Sequence, residues 1–294
     1  MAYANNGDVQ IYYETFGDPA DEALLMINGL GSQCINYRVD WCEKFVAQGF
    51  FVIRFDNRDV GLSSKFSHVK PDIGGVMRAL AAGERPSTPY TISDMAADAL
   101  AVLDHAGVSR AHVMGVSMGG MIVQVLAIQH PDRLLSLTSV MSSTGDPDVG
   151  QPSEEARRLL FGPPPNDRES YIVRHIEGIR TYGSPASFDG DRLRAFAGEA
   201  FDRCFDPAGQ ARQIMAIMAS PQRTEALRSV RVPALVMHGD ADRLVDISGG
   251  RRTAEAIPGA RFEVLEGMGH DYPPDYWDRW VKLVTEHARS ATPA

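Results

Sequence analysis

Gly115-Val-Ser117-Met-Gly119-Gly120 is the stretch that decides the fold. It follows an apolar run, Ala111-His-Val-Met-Gly-Val116, and opens an apolar segment from Met118 to His130 that stops at Pro131. A buried strand, a sharp turn at a serine and then a helix is the context of a nucleophile elbow. The turn is so tight that its neighbours must be small, which accounts for Gly115 and Gly119. It lifts the Ser117 hydroxyl clear of the sheet. It also sets the Met118 amide at a helix N-terminus, where it can donate to a developing oxyanion. A G-x-S-x-G arising by chance is the competing explanation, and strand, turn and helix in register count against it.

Outward from the elbow, short apolar runs recur. Val9–Glu14 alternates, with Val9, Ile11 and Tyr13 on one face. Leu24–Asn28, Phe51–Phe55, Leu134–Met141, Ala234–His238 and Arg261–Leu265 are near-continuous, as strands buried on both faces of a parallel sheet are. Helical patterns lie between them. Ser93 is expected to cap one that carries Met95, Ala96, Ala99, Leu100, Val102 and Leu103 and ends at Gly107. Pro273-Pro-Asp-Tyr starts the last, with Trp277, Trp280, Val281 and Val284. Strands alternating with helices mean βαβ units.

The rhythm breaks between Thr144 and Arg228, which holds Pro163-Pro-Pro165, no convincing strand and four helical patterns, around 154–160, 170–180, 192–203 and 209–218. The expected organisation is a core of residues 1–143 and 229–294 with a helical cap, or lid, at 144–228. The plainer alternative is an extra helical layer without a gating role. Phe161, Tyr171, Tyr182, Phe196, Phe201, Met215 and Met218 in this segment are candidates to line an apolar pocket, though at helical spacing such residues are more often simply the core of the cap.

A serine hydroxyl is a weak nucleophile near neutral pH and needs a base. Of eight histidines, His270 stands in Glu266-Gly-Met-Gly-His270, between the last strand and the last helix, where glycines let a loop carry the imidazole over the serine. His238 sits at a strand end before Gly239 and is expected to support the turn. The acid that orients the base should lie between serine and histidine in the chain. Two aspartates compete in His238-Gly-Asp240-Ala-Asp242. Asp242 is chosen because its carboxylate must reach past the strand end, while Asp240 is suited to holding the turn through backbone hydrogen bonds. Asp146 is a third option. The second oxyanion donor is expected from Asn28-Gly29-Leu30-Gly31-Ser32, as the amide of Leu30. Asp56-Asn-Arg58-Asp59-Val-Gly61 is read as a scaffold turn held by Arg58 and Asp59 ion pairing.

Composition bounds the rest. The chain has 294 residues, 44% hydrophobic and 23% charged, with a net charge of −9, which argues against nucleic acid or anionic membrane as partners. Three cysteines, Cys34, Cys42 and Cys204, imply no disulfide framework. No secretory signal or membrane span is expected, and a cytoplasmic protein is inferred. No metal-spaced Cys/His cluster, Walker motif or Rossmann glycine pattern occurs, so no cofactor or metal is expected. A serine at the elbow, not an aspartate, disfavours chemistry through an alkyl-enzyme ester.

The elbow, His238-Gly-x-x-Asp242-x-x-Val245 and Gly-Met-Gly-His270, in this order, resemble the α/β-hydrolase superfamily with a helical cap, over residues 8–143 and 229–290. Phe16-Gly-Asp-Pro-Ala-Asp21, Val52-Ile-Arg54, Arg110-Ala-His-Val, Asp132-Arg-Leu-x-Ser-Leu-Thr138 and Ile257-Pro-x-Ala-Arg261 are more narrowly similar to the aclacinomycin methylesterases, which remove a methyl ester from an anthracycline polyketide. The resemblance implies a mostly parallel central sheet flanked by helices, with the cap inserted after the sixth strand. It implies a triad of Ser117, Asp242 and His270, an oxyanion hole from the Leu30 and Met118 amides, and a small apolar ester as substrate. In this chain the oxyanion loop reads Asn-Gly-Leu-Gly, and the bulk of Leu30 at the pocket wall bears on substrate choice. Lactone opening or carbon–carbon bond hydrolysis on the same triad, and a ligand-binding receptor using the fold's pocket, are the alternatives.

Overall fold

The computed structural model describes residues 2–291. The chain runs β1 (Ala2–Asn6), β2 (Val9–Phe16), β3 (Glu22–Ile27), α1 (Val39–Val46), β4 (Phe50–Phe55), α2 (Ile73–Ala81), α3 (Ile92–His105), β5 (Ala111–Val116), α4 (Met118–Gln129) and β6 (Leu134–Val140). Five helices follow with no strand among them: α5 (Glu154–Phe161), α6 (Arg168–Tyr182), α7 (Gly190–Arg203), α8 (Pro207–Ala219) and α9 (Thr224–Leu227). The chain then returns through β7 (Ala234–Gly239), α10 (Ser248–Ala256), β8 (Arg261–Leu265) and α11 (Pro274–Ala291).

The strands form one sheet of eight in the order β1-β2-β4-β3-β5-β6-β7-β8. β1 and β2 pair antiparallel, as do β2 and β4; every later pairing is parallel. Apolar strands feed both faces in turn. Leu25 and Ile27 of β3 join the cluster under α3 and α4, while Leu24 and Met26 join Trp41, Phe45, Trp277 and Trp280 of α1 and α11 on the opposite face. This two-sided burial is why the central strands read as unbroken hydrophobic runs. No described helix is long and apolar enough to cross a membrane.

Two details differ from expectation. β1 has no apolar run to announce it; it pairs with β2 through the turn at Gly7, whose φ is +57°. Ser93 does not cap α3. The cap is Thr91, whose hydroxyl accepts from the Asp94 amide while the Asp94 carboxylate accepts from the Thr91 amide at 2.7 Å. This reciprocal box satisfies two orphan donors at once, which a lone serine two residues later cannot do.

Candidate active site

The site is assembled at the carboxyl ends of β3, β5, β7 and β8. Ser117 sits between β5 and α4 with φ +56° and ψ −115°, a conformation that costs on the order of 1–3 kcal/mol for a residue with a Cβ. Its surroundings explain how the strain is held. A Cβ on Gly115 would collide with the carbonyl of Gly119, one on Gly119 with the carbonyl of Ile27, and one on Gly120 with the side chain of Ser142. Three bare backbones thus let β5, α4, β3 and the end of β6 close on one another. The Ser117 amide donates to Val140 O at 2.9 Å, and its carbonyl accepts from Ser142 Oγ at 2.8 Å.

The Asn28–Ser32 loop passes directly beside the elbow. A Cβ on Gly29 would stand 3.2 Å from the Ser117 Cβ and 3.7 Å from its Oγ. Asn28, fully buried at the end of β3, anchors the loop: its Nδ2 donates to Gln33 O at 3.1 Å, and its Oδ1 accepts from Tyr272 OH at 3.2 Å. Among the described residues, neither the Leu30 amide nor the Met118 amide has a protein acceptor, so both remain able to donate to a third party.

Asp242 and His270, 28 residues apart in the chain, meet at 2.7 Å between Oδ2 and Nδ1. The other carboxylate oxygen accepts from the amides of Leu244 at 2.9 Å and Val245 at 2.8 Å. Burial works to raise this carboxyl, but His270 and His238 outweigh it and pull it down to about 2, so it stays ionised. Asp240 instead accepts from the Gly267 amide at 2.7 Å. Asp146 is taken up by Arg252 at 2.8 Å and by Thr144 and Thr224.

His238 supports the turn, as its place at the strand end suggests, and further contributors carry no sequence signal of their own. His238 is fully buried and donates from Nε2 to Val245 O at 2.8 Å; the same nitrogen lies 3.4 Å from Asp242 Oδ2, so it braces the acid as well as the turn. The His270 loop is clamped by the end of α6. The His270 amide donates to Tyr182 O at 2.6 Å, the Gly269 amide to Ser184 Oγ at 3.0 Å, and Ser184 Oγ to Asp271 Oδ1 at 2.5 Å. A Cβ on Gly269 would run into the Gly183 backbone. Only adjacency to His270 could have pointed to Asp271; nothing marks Ser184.

The Asp56–Gly61 turn is a scaffold, but Arg58 and Asp59 do not pair with each other. Arg58 grips Asp98 of α3 at 2.6 and 2.7 Å, and Asp59 grips Arg212 of α8 at 2.8 Å through both oxygens. The chain turns sharply here, with Asp59 at φ +70°, and each side chain finds a partner on a different helix. Of the apolar candidates between β6 and β7, Phe161 is half exposed, whereas Tyr171 packs on Phe201 at 5.6 Å between ring centres and Phe196 on His175 at 5.7 Å. Met215 is buried, with its sulfur accepting from the Asp72 amide. Tyr182 lies edge-on to the His270 ring at 6.2 Å.

A mostly parallel sheet with a strained serine at the β5–α4 turn, and a histidine–aspartate pair after β7 and β8, defines the α/β class of hydrolases. The chain belongs to the alpha/beta hydrolase fold family, whose profile matches residues 22–273. It is 32% identical to rhodomycin D methylesterase DnrP of Streptomyces peucetius over 98% of this chain and 97% of that protein. An esterase from a Rhodococcus species superposes with a TM-score of 0.76 at 22% identity, covering 99% of both chains. The enol-lactonase of Burkholderia xenovorans does so with 0.75 at 23% identity, covering 97% of this chain and 99% of its own. At those identities the two structures speak for the fold alone. The full-length likeness to a methylesterase agrees with the resemblance carried by the sequence motifs.

Proposed function

We propose that this chain is a serine hydrolase that cleaves a carboxylic ester of an apolar, polyketide-like small molecule, in the first place a methyl ester. The observation that carries the chemistry is the 2.7 Å bond between Asp242 and His270 at the sheet end that also bears Ser117 on its strained turn. The likeness to a rhodomycin D methylesterase along nearly the whole chain supports the ester.

Ser117 Oγ attacks the ester carbonyl and His270 takes its proton. Asp242, ionised and fixed by two amides, holds the ring in the tautomer with Nδ1 protonated and stabilises the imidazolium. The amides of Leu30 and Met118 receive the oxyanion, each contributing about 3 kcal/mol to the transition state. His270 returns the proton to the leaving alcohol, and water then hydrolyses the acyl-enzyme by the same steps. The helices of residues 144–228 act as the cap that shapes the acyl pocket, and Leu30 adds bulk at its wall.

Alcohol release should be followed on aryl-polyketide methyl esters and on p-nitrophenyl esters of increasing acyl length, with wild type beside Ser117→Ala. Methanol release lost in the variant is the expected result. Turnover kept by Ser117→Ala would sink the assignment of the nucleophile. Inert esters beside rapid opening of a lactone, or cleavage of a diketone, would replace the substrate class while keeping the triad.

A further inference from the structure

The loop that brings Leu30 to the site is held from outside the sheet by one side chain of α8. Gln213 is fully buried. Its Oε1 accepts from the Gly31 amide at 2.8 Å, and its Nε2 donates to the Arg58 carbonyl at 2.8 Å. The two bonds fix the amide orientation, since a flipped group would face a donor with a donor and an acceptor with an acceptor. Gly31 is the third residue of a turn closed by the Ser32 amide on Gly29 O at 3.3 Å, and its φ of +66° is that of a type II turn. The Gly31 N–H belongs to the central peptide of that turn and the Leu30 N–H to the peptide before it, so Gln213 ties the turn to α8 one peptide away from the Leu30 amide. Gln210, one turn earlier on α8, packs on the same glycine, 3.1 Å from where a Cβ would stand.

The helix that carries Gln213 is itself immobilised. Arg212, adjacent in the chain, makes the bidentate pair with buried Asp59, and Gly209 approaches the Asp59 carbonyl so closely that no Cβ would fit. Arg58, whose carbonyl Gln213 reads, is locked to Asp98. The distance from α8 to the oxyanion loop is therefore set by rigid parts at both ends.

We propose that Gln213 is a positioning residue for oxyanion stabilisation: by holding the Gly31 amide from a side chain itself fixed to the Arg58 carbonyl, it keeps the 29–32 turn seated against α8, at the one position that presents the Leu30 amide beside Ser117. The proposal rests on the assignment of Leu30 as an oxyanion donor. Gln213 touches no reacting atom. Its loss lets the turn move away from α8, and the competent fraction falls. Losing an oxyanion donor outright costs about 10²–10³ in kcat, so a donor present part of the time costs less, about 10- to 100-fold.

The test uses Gln213→Met, which keeps volume without the amide, and Gln213→Glu. Four quantities are read: kcat and KM on a p-nitrophenyl ester, the inhibition constant of a trifluoromethyl ketone whose serine adduct bears an oxyanion, and the thermal midpoint. For Gln213→Met the expected result is kcat lowered 10- to 100-fold, KM within about twofold, and the inhibition constant raised by the same factor as kcat/KM falls. Gln213→Glu should recover toward wild type as pH is lowered, because a protonated carboxyl again donates to Arg58 O and accepts from Gly31. Folded Gln213→Met with wild-type kcat and inhibition would overturn the proposal. So would a kcat loss that tracks only the unfolded fraction and leaves the inhibition constant unchanged. Wild type that neither turns over the ester nor binds the ketone would remove the esterase reading beneath it, a different failure from either.

Discussion

The two halves of the site are held by opposite means. Ser117 is placed mainly by close-packed backbone: Gly115, Gly119 and Gly120, all within six residues, leave room where a Cβ would meet Gly119, Ile27 or Ser142. His270 and Leu30 are placed by contacts from far along the chain. Tyr182 and Ser184 reach the histidine loop from α6 and its end, and the oxyanion loop is tied to Tyr272 on one side and α8 on the other. A locally built turn is rigid because its atoms cannot pass one another. A loop held by hydrogen bonds is only as fixed as its partners. The helices between β6 and β7 bond to the loops that carry His270 and Leu30, the proposed base and oxyanion donor.

The largest break in this contrast is chemical. Asp242→Asn keeps the acceptor for Leu244 and Val245 but cannot hold His270 in the right tautomer, and kcat should fall about 10⁴-fold in protein that remains folded. A small effect on turnover would assign the orienting acid elsewhere, with Asp240 the next candidate. On the rigid side, Gly119→Ala drives a Cβ into the Ile27 carbonyl, a clash of backbone with backbone. Stability should drop by about 3 kcal/mol or more in urea unfolding, because neither β3 nor α4 can step aside. A well-folded, active Gly119→Ala protein would show that the elbow yields after all.

Acid titration gives a middle-sized effect. Folding lowers the Asp242 carboxyl from 3.8 to about 2. Its stabilisation is thus complete above pH 3.8 and lost as pH falls through 2, and at about 1.4 kcal/mol per unit it amounts to about 2 kcal/mol. Asp242→Asn should remove that portion of the pH dependence of unfolding, and an unchanged acid limb would deny it. The smallest effect tests the clamp on the histidine loop. Ser184→Ala removes the acceptor for the Gly269 amide and a donor to Asp271, and kcat should fall about tenfold with KM near wild type. Equal loss in the Ser184→Ala and Asp271→Asn single variants and in the double would show that the pair acts as one unit.

What the sequence determined by itself is everything that depends on residues close together in the chain. The elbow, the buried strands, the four main helices between β6 and β7 and the candidate His270 all follow from local periodicity and glycine spacing, because side-chain period and turn sterics are short-range. The helix cap at Thr91 was open to the same reasoning, through its T-x-x-D spacing. Tertiary structure alone decided which partner each buried charge takes, with Arg58 going to Asp98 and Asp59 to Arg212 rather than to each other. It alone put His238 against Asp242, Ser184 under Gly269 and Gln213 on Gly31. Gly31 and Gln213 are 182 positions apart, and no pattern of residue types encodes such a pairing. It exists because an ion pair and a glycine contact seat α8 against the loops of the sheet, and only the folded chain brings those surfaces together.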